Sequence, residues 1–144
     1  MRLTFTTNSD SKTIIEDDFN NFQKLIGQTL PQDYRQHMLF TQNGGIVEED
    51  VVHINYQDEG GGIRKFYPIK YGFITMEDAY KALNGKIPSG YISIGKTTDG
   101  GEIIISLNTE NYGEIKGWHA DGTLYDLSKS FTDLLNEMVE AEDY

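Results

Sequence analysis

The stretch that decides the fold is residues 91–107, YISIGKTTDGGEIIISL. Its two ends, residues 91–94 and 103–107, are rich in β-branched and aromatic residues, which favour strands. Between them, Thr98-Asp99-Gly100-Gly101 is a turn-forming sequence, because Asp bonds its own backbone and Gly accepts a positive φ. A tight turn joins antiparallel strands, whereas parallel neighbours need a long crossover. The stretch therefore predicts a β-hairpin in an antiparallel sheet.

Further strand patterns lie on both sides of this hairpin. Residues 51–56 and 63–67 carry β-branched and aromatic side chains at alternate positions, and the glycines at 60–62 between them predict a second hairpin. Residues 113–119 predict a strand that turns at Asp121-Gly122 into a short return strand at residues 123–125. The last third of the chain is therefore expected to be mostly sheet.

Four segments carry the apolar period of a helix. The first spans residues 15–26 and stops at Gly27, and the second begins at Leu30-Pro31 and stops at Asn43-Gly44-Gly45. The third and fourth begin at the capping signals Thr75 and Ser130. The apolar stripes of these helices contain Ile15, Phe19, Phe22, Ile26, Tyr34, Met38, Ala79, Tyr80, Leu83, Phe131, Leu134, Leu135 and Met138.

These elements predict one α+β domain over residues 1–144, a twisted antiparallel sheet with helices packed on one side or edge. The core is expected to contain Phe19, Phe22, Phe131 and Leu135. Trp118 is expected to be largely buried or to lie at the inner face of the sheet. The two ends, near residues 1–12 and 140–144, are expected to be mobile.

The charge balance and the missing residue types exclude several function classes. Asp and Glu total 23 against 12 Lys and Arg, and the formal net charge of −11 repels nucleic acid and anionic membranes. The one basic cluster, Arg64, Lys65 and Lys70, is small. The absence of cysteine excludes a disulfide scaffold, a thiol nucleophile and a thiolate zinc site. No stretch has the length of a signal peptide or a membrane span, so a cytoplasmic protein is expected.

Motifs for catalysis and for ligand binding are weak. His37, His53 and His119 fall on a predicted helix and two separate strands, without the spacing of a metal site. The glycines at 60–62 lack the lysine of a phosphate-binding loop, and no serine stands in a nucleophile elbow. The sequence therefore predicts no catalytic residue, no cofactor and no metal.

An enzyme remains one hypothesis, and it has a specific requirement. Trp118, His119 and Asp121 would need to form a pocket in which the pKa of one of them is shifted. Binding is the alternative that the composition favours.

Four motifs, taken in order and spacing, resemble the SUKH superfamily, the group named for the yeast cell-wall regulator Smi1/Knr. They are residues 30–39 with Asn43-Gly44-Gly45, residues 91–102, residues 112–118 and residues 130–135. The match spans about residues 14–139 and is loosest over residues 51–73. The family-motif residues, to which we assign structural roles, are Pro31, Tyr34, Gly44, Gly95, Gly101, Gly113, Trp118 and Phe131.

The resemblance implies an α+β domain and a binding function. Bacterial members of the family often act as immunity proteins that neutralise a polymorphic toxin, frequently a nuclease, by direct binding. Fungal members are instead non-enzymatic regulators of cell-wall (glucan) synthesis and signalling. The first expectation is therefore an immunity protein with a cognate, basic toxin as its partner, and the alternative is a regulatory or scaffolding module. A monomer and a homodimer are both compatible with the sequence.

Two acidic segments are candidates for contact with a basic partner. The first holds five acids without an intervening base: Glu48, Glu49, Asp50, Asp58 and Glu59. It borders the region that matches the family least, and variable segments are where partner choice would lie. The second segment begins at Asp133, after the last base, Lys129. We predict that the first segment binds the partner, against the alternative of solvated loops.

Overall fold

The chain folds around an antiparallel sheet. The computed structural model describes residues 5–6, 12–47, 51–53 and 62–140. Its strands are Phe5–Thr6 (β1), Gly45–Val47 (β2), Val51–His53 (β3), Ile63–Phe66 (β4), Tyr91–Thr97 (β5), Glu102–Ser106 (β6), Ile115–Trp118 (β7), Leu124–Ser128 (β8) and Met138–Glu140 (β9). Its α-helices are Glu16–Ile26 (α1), Gln32–Gln36 (α2), Met76–Leu83 (α3) and Phe131–Asn136 (α4). A π-helical turn, His37–Thr41, follows α2, and a 3₁₀ turn, Thr109–Asn111, precedes β7.

Seven strands form one sheet in the order β1-β2-β4-β5-β6-β7-β8, and every neighbouring pair is antiparallel. The predicted hairpin is confirmed, since Tyr91 pairs with Ser106 and Lys96 with Glu102. β3 and β9 pair with each other as a separate two-stranded ribbon. The fold is α+β, as predicted.

The core lies on one face of the sheet, between the strands and the helices. Ile103 and Ile105 belong to the same buried cluster as Phe19, Phe22 and Phe131, whereas Ile104 between them does not. Side chains alternate along a strand, so the helices cover the face that Ile103 and Ile105 share. The buried positions of Phe19, Phe22 and Phe131 are confirmed, and Leu135 packs half-buried against this cluster.

The helix boundaries follow the predicted signals closely. Gly27 ends α1 with φ +70°, and the side chain of Thr75 caps α3 by accepting a hydrogen bond from the Asp78 amide at 3.2 Å. Pro31 is the N-cap of α2 and not its first helical residue. Gly44 has φ +75°, and a Cβ there would lie 2.6 Å from the Pro68 nitrogen, so the tight turn requires glycine.

The predicted second hairpin is wrong in its pairing. β4 has β2 on one side and β5 on the other, so both of its edges are occupied. β3 pairs with β9 instead, with His53 opposite Met138. The glycines at 60 and 61 lie outside the described residues.

The last helix is shorter than predicted. α4 ends at Asn136, and Met138 begins β9, where it is buried. Met138 therefore fits the helical spacing of apolar residues in the sequence, although it reaches the core from a strand. Ile15 is likewise not a core residue, since it is the N-cap of α1 and is 64% exposed.

The prediction for Trp118 is wrong. Ile115 on the same strand is buried in the core, so alternation places Gly117 on the inner face and Trp118 on the outer face. Trp118 is half-buried there. Gly117 leaves the inner face to the Tyr125 ring, whose Cζ would lie 2.1 Å from a Cβ at position 117.

Within the described residues, no helix is long and apolar enough to cross a bilayer.

Candidate binding site: an acidic cleft beside β8 and α4

A cleft of about 810 Å³ lies along β8 and one side of α4. Four carboxylates and one ammonium group line it. Its lining residues are Glu114, Tyr125, Asp126, Leu127, Ser128, Lys129, Asp133 and Glu137. The cleft is therefore strongly acidic, and Tyr125 and Leu127 provide an apolar contribution.

Three of the four acids are placed by simple local structure. Asp126 lies on β8 opposite Lys116, with which it forms an ion pair, and this hydrogen bond raises the pKa of Lys116. Asp133 lies in the first turn of α4, where a carboxylate suits the helix dipole, and its amide donates to Ser130 Oγ at 3.0 Å. Glu114 precedes β7 and is half-buried.

The fourth acid, Glu137, belongs to a polar cluster that joins the ribbon to the main sheet. Nε2 of His53 lies 2.9 Å from Ser128 Oγ and 3.1 Å from Oε1 of Glu137. Ser128 Oγ donates to the same Oε1 at 2.5 Å. The cluster thus holds β3 against β8 and the end of α4.

Burial determines the charge state of this histidine. His53 is 1% exposed, and this burial lowers its pKa, because a buried imidazolium loses its hydration. Glu137 opposes the effect through its charge and its hydrogen bond. The neutral form of His53 is therefore the one that the folded protein favours at neutral pH.

This cluster has the residue types of a hydrolase triad but not its geometry. In such a triad the carboxylate binds Nδ1 of the histidine and the serine binds Nε2. Here the carboxylate and the hydroxyl both contact Nε2 of His53, and Ser128 already donates its proton to Glu137. The arrangement positions Glu137 and the ribbon, and sequence reasoning had missed it because His53 lies 75 positions from Ser128 and 84 from Glu137 in the chain.

The ribbon pairs β3, which lies between the two runs of the first acidic segment in the sequence, with β9. Val51, at the end of the first segment's initial run, pairs with Glu140 of the second segment. The predicted partner-binding acids Glu48, Glu49, Asp50, Asp58 and Glu59 lie outside the described residues, in the two connections that enter and leave β3. Their role stays a prediction.

The structure does not bring Trp118, His119 and Asp121 together around a pocket. Nε2 of His119 lies 3.6 Å from Oδ2 of Asp99, and its ring stacks on Tyr125 with a centroid distance of 5.8 Å. Asp121 Oδ1 accepts a hydrogen bond at 2.9 Å from the Thr123 amide within its own turn, which lowers the pKa of Asp121. The pocket that the enzyme hypothesis required is not formed by this trio.

The third histidine has a packing role. The His37 ring lies 5.0 Å from the Phe131 ring in an edge-on arrangement, and burial lowers its pKa to about 4. Within the described ranges, no group of three His, Asp or Glu side chains could hold a metal ion.

None of the family-motif residues lines the cleft, and several of them pack in the core or stand at tight turns and close approaches of the chain. Tyr34 is buried and packs edge-on against Phe131 with a centroid distance of 5.0 Å. Gly95 lies where a Cβ would come within 2.3 Å of the Lys65 carbonyl oxygen, and a Cβ at Gly101 would lie 2.9 Å from that of Trp118. Gly113 turns the chain before β7 with φ +90°.

Two buried polar residues in these motifs have roles that the sequence did not reveal. The Asn43 side chain accepts from the Ile69 amide at 2.8 Å and donates to the Ile69 carbonyl at 2.9 Å, which ties the β4–α3 loop to the end of the π-helical turn. Glu102 accepts from Tyr67 Oη at 2.8 Å and Ser93 Oγ at 2.6 Å, and pairs with Lys96 at 3.0 Å. The signal in the sequence was a polar residue, Asn43 or Glu102, within a motif whose neighbours are buried, because a buried polar group needs hydrogen-bond partners.

The fold and these motifs define a known class of domain. The model of the SMI1 / KNR4 family (SUKH-1) matches residues 13–137. The chain belongs to this family, which confirms the resemblance. A comparison with curated proteins finds no significant match.

Proposed function

We propose that this protein is a non-enzymatic binding protein, and specifically a bacterial immunity protein that neutralises a basic toxin in the cytoplasm by direct binding. The observation that carries the proposal is the cleft beside β8 and α4, whose lining contains four carboxylates and only one lysine. The family membership supports a binding role, and the cleft suggests the charge of the partner.

The electrostatic argument concerns the rate of association. A nuclease toxin is basic because it holds phosphate, so an acidic inhibitor steers it during diffusion and raises the association rate at low salt. Salt weakens this steering because the Debye length is about 8 Å at physiological ionic strength. Tyr125 in the cleft adds an aromatic surface of the type that is enriched at interface centres.

The proposal of a non-enzymatic role is supported by the hydrogen bonds within two polar clusters, one around Glu102 and one around His53. Glu102 has three partners, and Ser128 gives its proton to Glu137 beside a buried His53. In each cluster the named groups hydrogen-bond to one another within the fold. Buried polar groups that are satisfied in this way stabilise a structure, which supports a non-enzymatic role.

The test is binding to the toxin encoded next to this protein, with two matched double variants. The first, Glu114→Gln with Asp133→Asn, removes two charges of the cleft. The control, Asp17→Asn with Glu110→Gln, removes two exposed acids elsewhere, one of them also in the first turn of a helix. We expect the cleft variant to weaken binding by about tenfold, about 1.4 kcal/mol, mainly through slower association. Equal effects of the two variants would contradict a role for the cleft.

The alternative is a regulatory or scaffolding module of the cell-wall type, and one observation favours it. A groove of about 490 Å³ between the π-helical turn and α4 is lined by Phe40, Phe131 and Leu135, and Phe40 is 71% exposed. This surface suits a partner with an apolar side chain and does not require a basic one. A toxin gene immediately upstream supports the immunity role, and binding of a wall-synthesis regulator without such a gene supports the alternative.

A further inference from the structure

Lys65 has an unusual position for a lysine in this acidic protein. It lies on β4, where its neighbours across the sheet are Ile46 of β2 and Lys96 of β5. Two like charges directly opposite each other on neighbouring strands repel. Lys65 is half-buried, and its Nζ lies 5.7 Å from the centre of the Tyr67 ring.

The groups that face Lys65 are mostly cationic. Arg64 precedes it on β4, and Lys96 stands opposite on β5. The nearby carboxylate, Glu102 of β6, is engaged by Lys96, Tyr67 and Ser93. Ile46 on the β2 side carries no charge. Within the described residues, Lys65 has no ion pair with a carboxylate, unlike Lys70, Lys96 and Lys116.

We propose that Lys65 is a site of covalent acylation by activated acyl donors, either acyl phosphates or acyl thioesters. The neutral ε-amine attacks the carbonyl carbon of the donor, and a C–N bond forms as the C–O or C–S bond breaks. Phosphate or thiolate leaves with the electron pair, and water takes the proton that the nitrogen loses. The product is a neutral amide, so one of three neighbouring positive charges disappears and the Lys96–Glu102 pair remains.

The surroundings make Lys65 more nucleophilic than other lysines. Partial burial, followed by repulsion from Arg64 and Lys96, lowers its pKa against the smaller opposing effect of Glu102, so more of it is neutral near pH 8. In contrast, hydrogen bonds to carboxylates raise the pKa of Lys70 and of Lys116. The reference residues for comparison are the exposed lysines Lys24, Lys81 and Lys86.

The experiment treats the full chain near pH 8 with a substoichiometric amount of acetyl phosphate, and in a second arm with acetyl coenzyme A. Mass spectrometry of peptides then gives the initial rate at each lysine. We expect Lys65 to react several-fold faster than the three reference lysines, because partial burial and the neighbouring charges of Arg64 and Lys96 disfavour its protonated form. If Lys65 reacts faster than the reference lysines in just one of the two arms, that arm identifies the class of donor.

Two exposed-charge variants keep the test decisive. Arg64→Gln removes one repelling charge and is expected to slow Lys65 alone, whereas Lys24→Gln, at an exposed position of α1, leaves the rates of Lys65, Lys81 and Lys86 unchanged. The proposal is overturned if Lys65 reacts no faster than the reference lysines in both arms. It is also overturned if Arg64→Gln leaves the rate of Lys65 unchanged, because accessibility alone would then set the rate.

Discussion

The β5–β6 hairpin and the β3–β9 ribbon are both antiparallel pairs, but they are held in different ways. The hairpin strands are joined by a four-residue turn at 98–101, and every residue of β6 is buried. The ribbon joins distant parts of the chain, since His53 and Glu137 are 84 residues apart, and it is held to the main sheet by a polar cluster. The hairpin is thus held by continuous core packing and a local turn, whereas the ribbon is held by pairing between distant segments and by polar contacts.

The largest expected effect comes from the core that both regions share. Phe131→Ala removes a side chain that is 1% exposed and packs against Tyr34 and Phe66. The free energy of unfolding is expected to fall by about 3–5 kcal/mol, since a buried ring leaves a cavity. Urea denaturation measures this. Phe40→Ala, at a ring that is 71% exposed, is the control and should change stability by no more than about 0.5 kcal/mol.

Loss of the polar cluster should destabilise the ribbon locally and leave the stability of the hairpin unchanged. His53→Leu puts an apolar side chain of similar size in place of the imidazole and removes the contacts to Ser128 and Glu137. A buried hydrogen-bonding group contributes about 1–3 kcal/mol, and we expect this loss in local opening of the ribbon. Hydrogen exchange should accelerate at residues 51–53 and 138–140 and stay unchanged at residues 91–106. Equal acceleration in both regions would show that the ribbon is not a separate unit.

Acid should weaken the protein through buried His53 and half-buried His37. Burial lowers the pKa of His53 and of His37 below the usual 6.5, so the unfolded chain binds protons that the folded chain does not. Stability is therefore full above about pH 6.5 and falls as the pH drops towards 4. The slope of unfolding free energy against pH should be smaller in His53→Leu. A stability that rises between pH 7 and 5 would mean that a paired imidazolium forms instead.

The smallest expected effect concerns an ion pair outside both regions. The hydrogen bond from Lys70, and then that from the Ile15 amide, lowers the pKa of Asp18 below 3.8. This stabilisation is present above pH 3.8 and is lost as the pH falls through the lowered value. Asp18→Asn should therefore be slightly less stable than the wild type at neutral pH, with the difference shrinking in acid. A difference that grows in acid would contradict this assignment.

Elements that depend on neighbouring residues were predictable, and elements that depend on distant ones were not. The turn at 98–101, the cap at Thr75 and the stop at Gly27 all follow from local chemistry. The pairing of β3 with β9 depends on residues more than 80 positions apart, as the His53–Glu137 contact shows, and no local pattern encodes it. The apolar residue Met138 fits a helix and a strand equally well.

The candidate site was predictable in charge and not in geometry. The sequence indicated an acidic segment from Asp133 onward, and the cleft contains Asp133 and Glu137. Glu114 and Asp126 join them only because β7 and β8 are adjacent in the sheet. Trp118 was placed on the wrong face because its neighbour Gly117, and not Trp118, lies under the Tyr125 ring.

The most direct test of the account is the salt dependence of the association rate with the neighbouring toxin. We predict that the rate for the wild type falls steeply as salt rises, and that Glu114→Gln with Asp133→Asn both lowers the rate at low salt and flattens this dependence. The Asp17→Asn with Glu110→Gln control should keep a slope closer to that of the wild type. A toxin that binds with the same rate and slope in the wild type and the cleft variant would contradict the central claim.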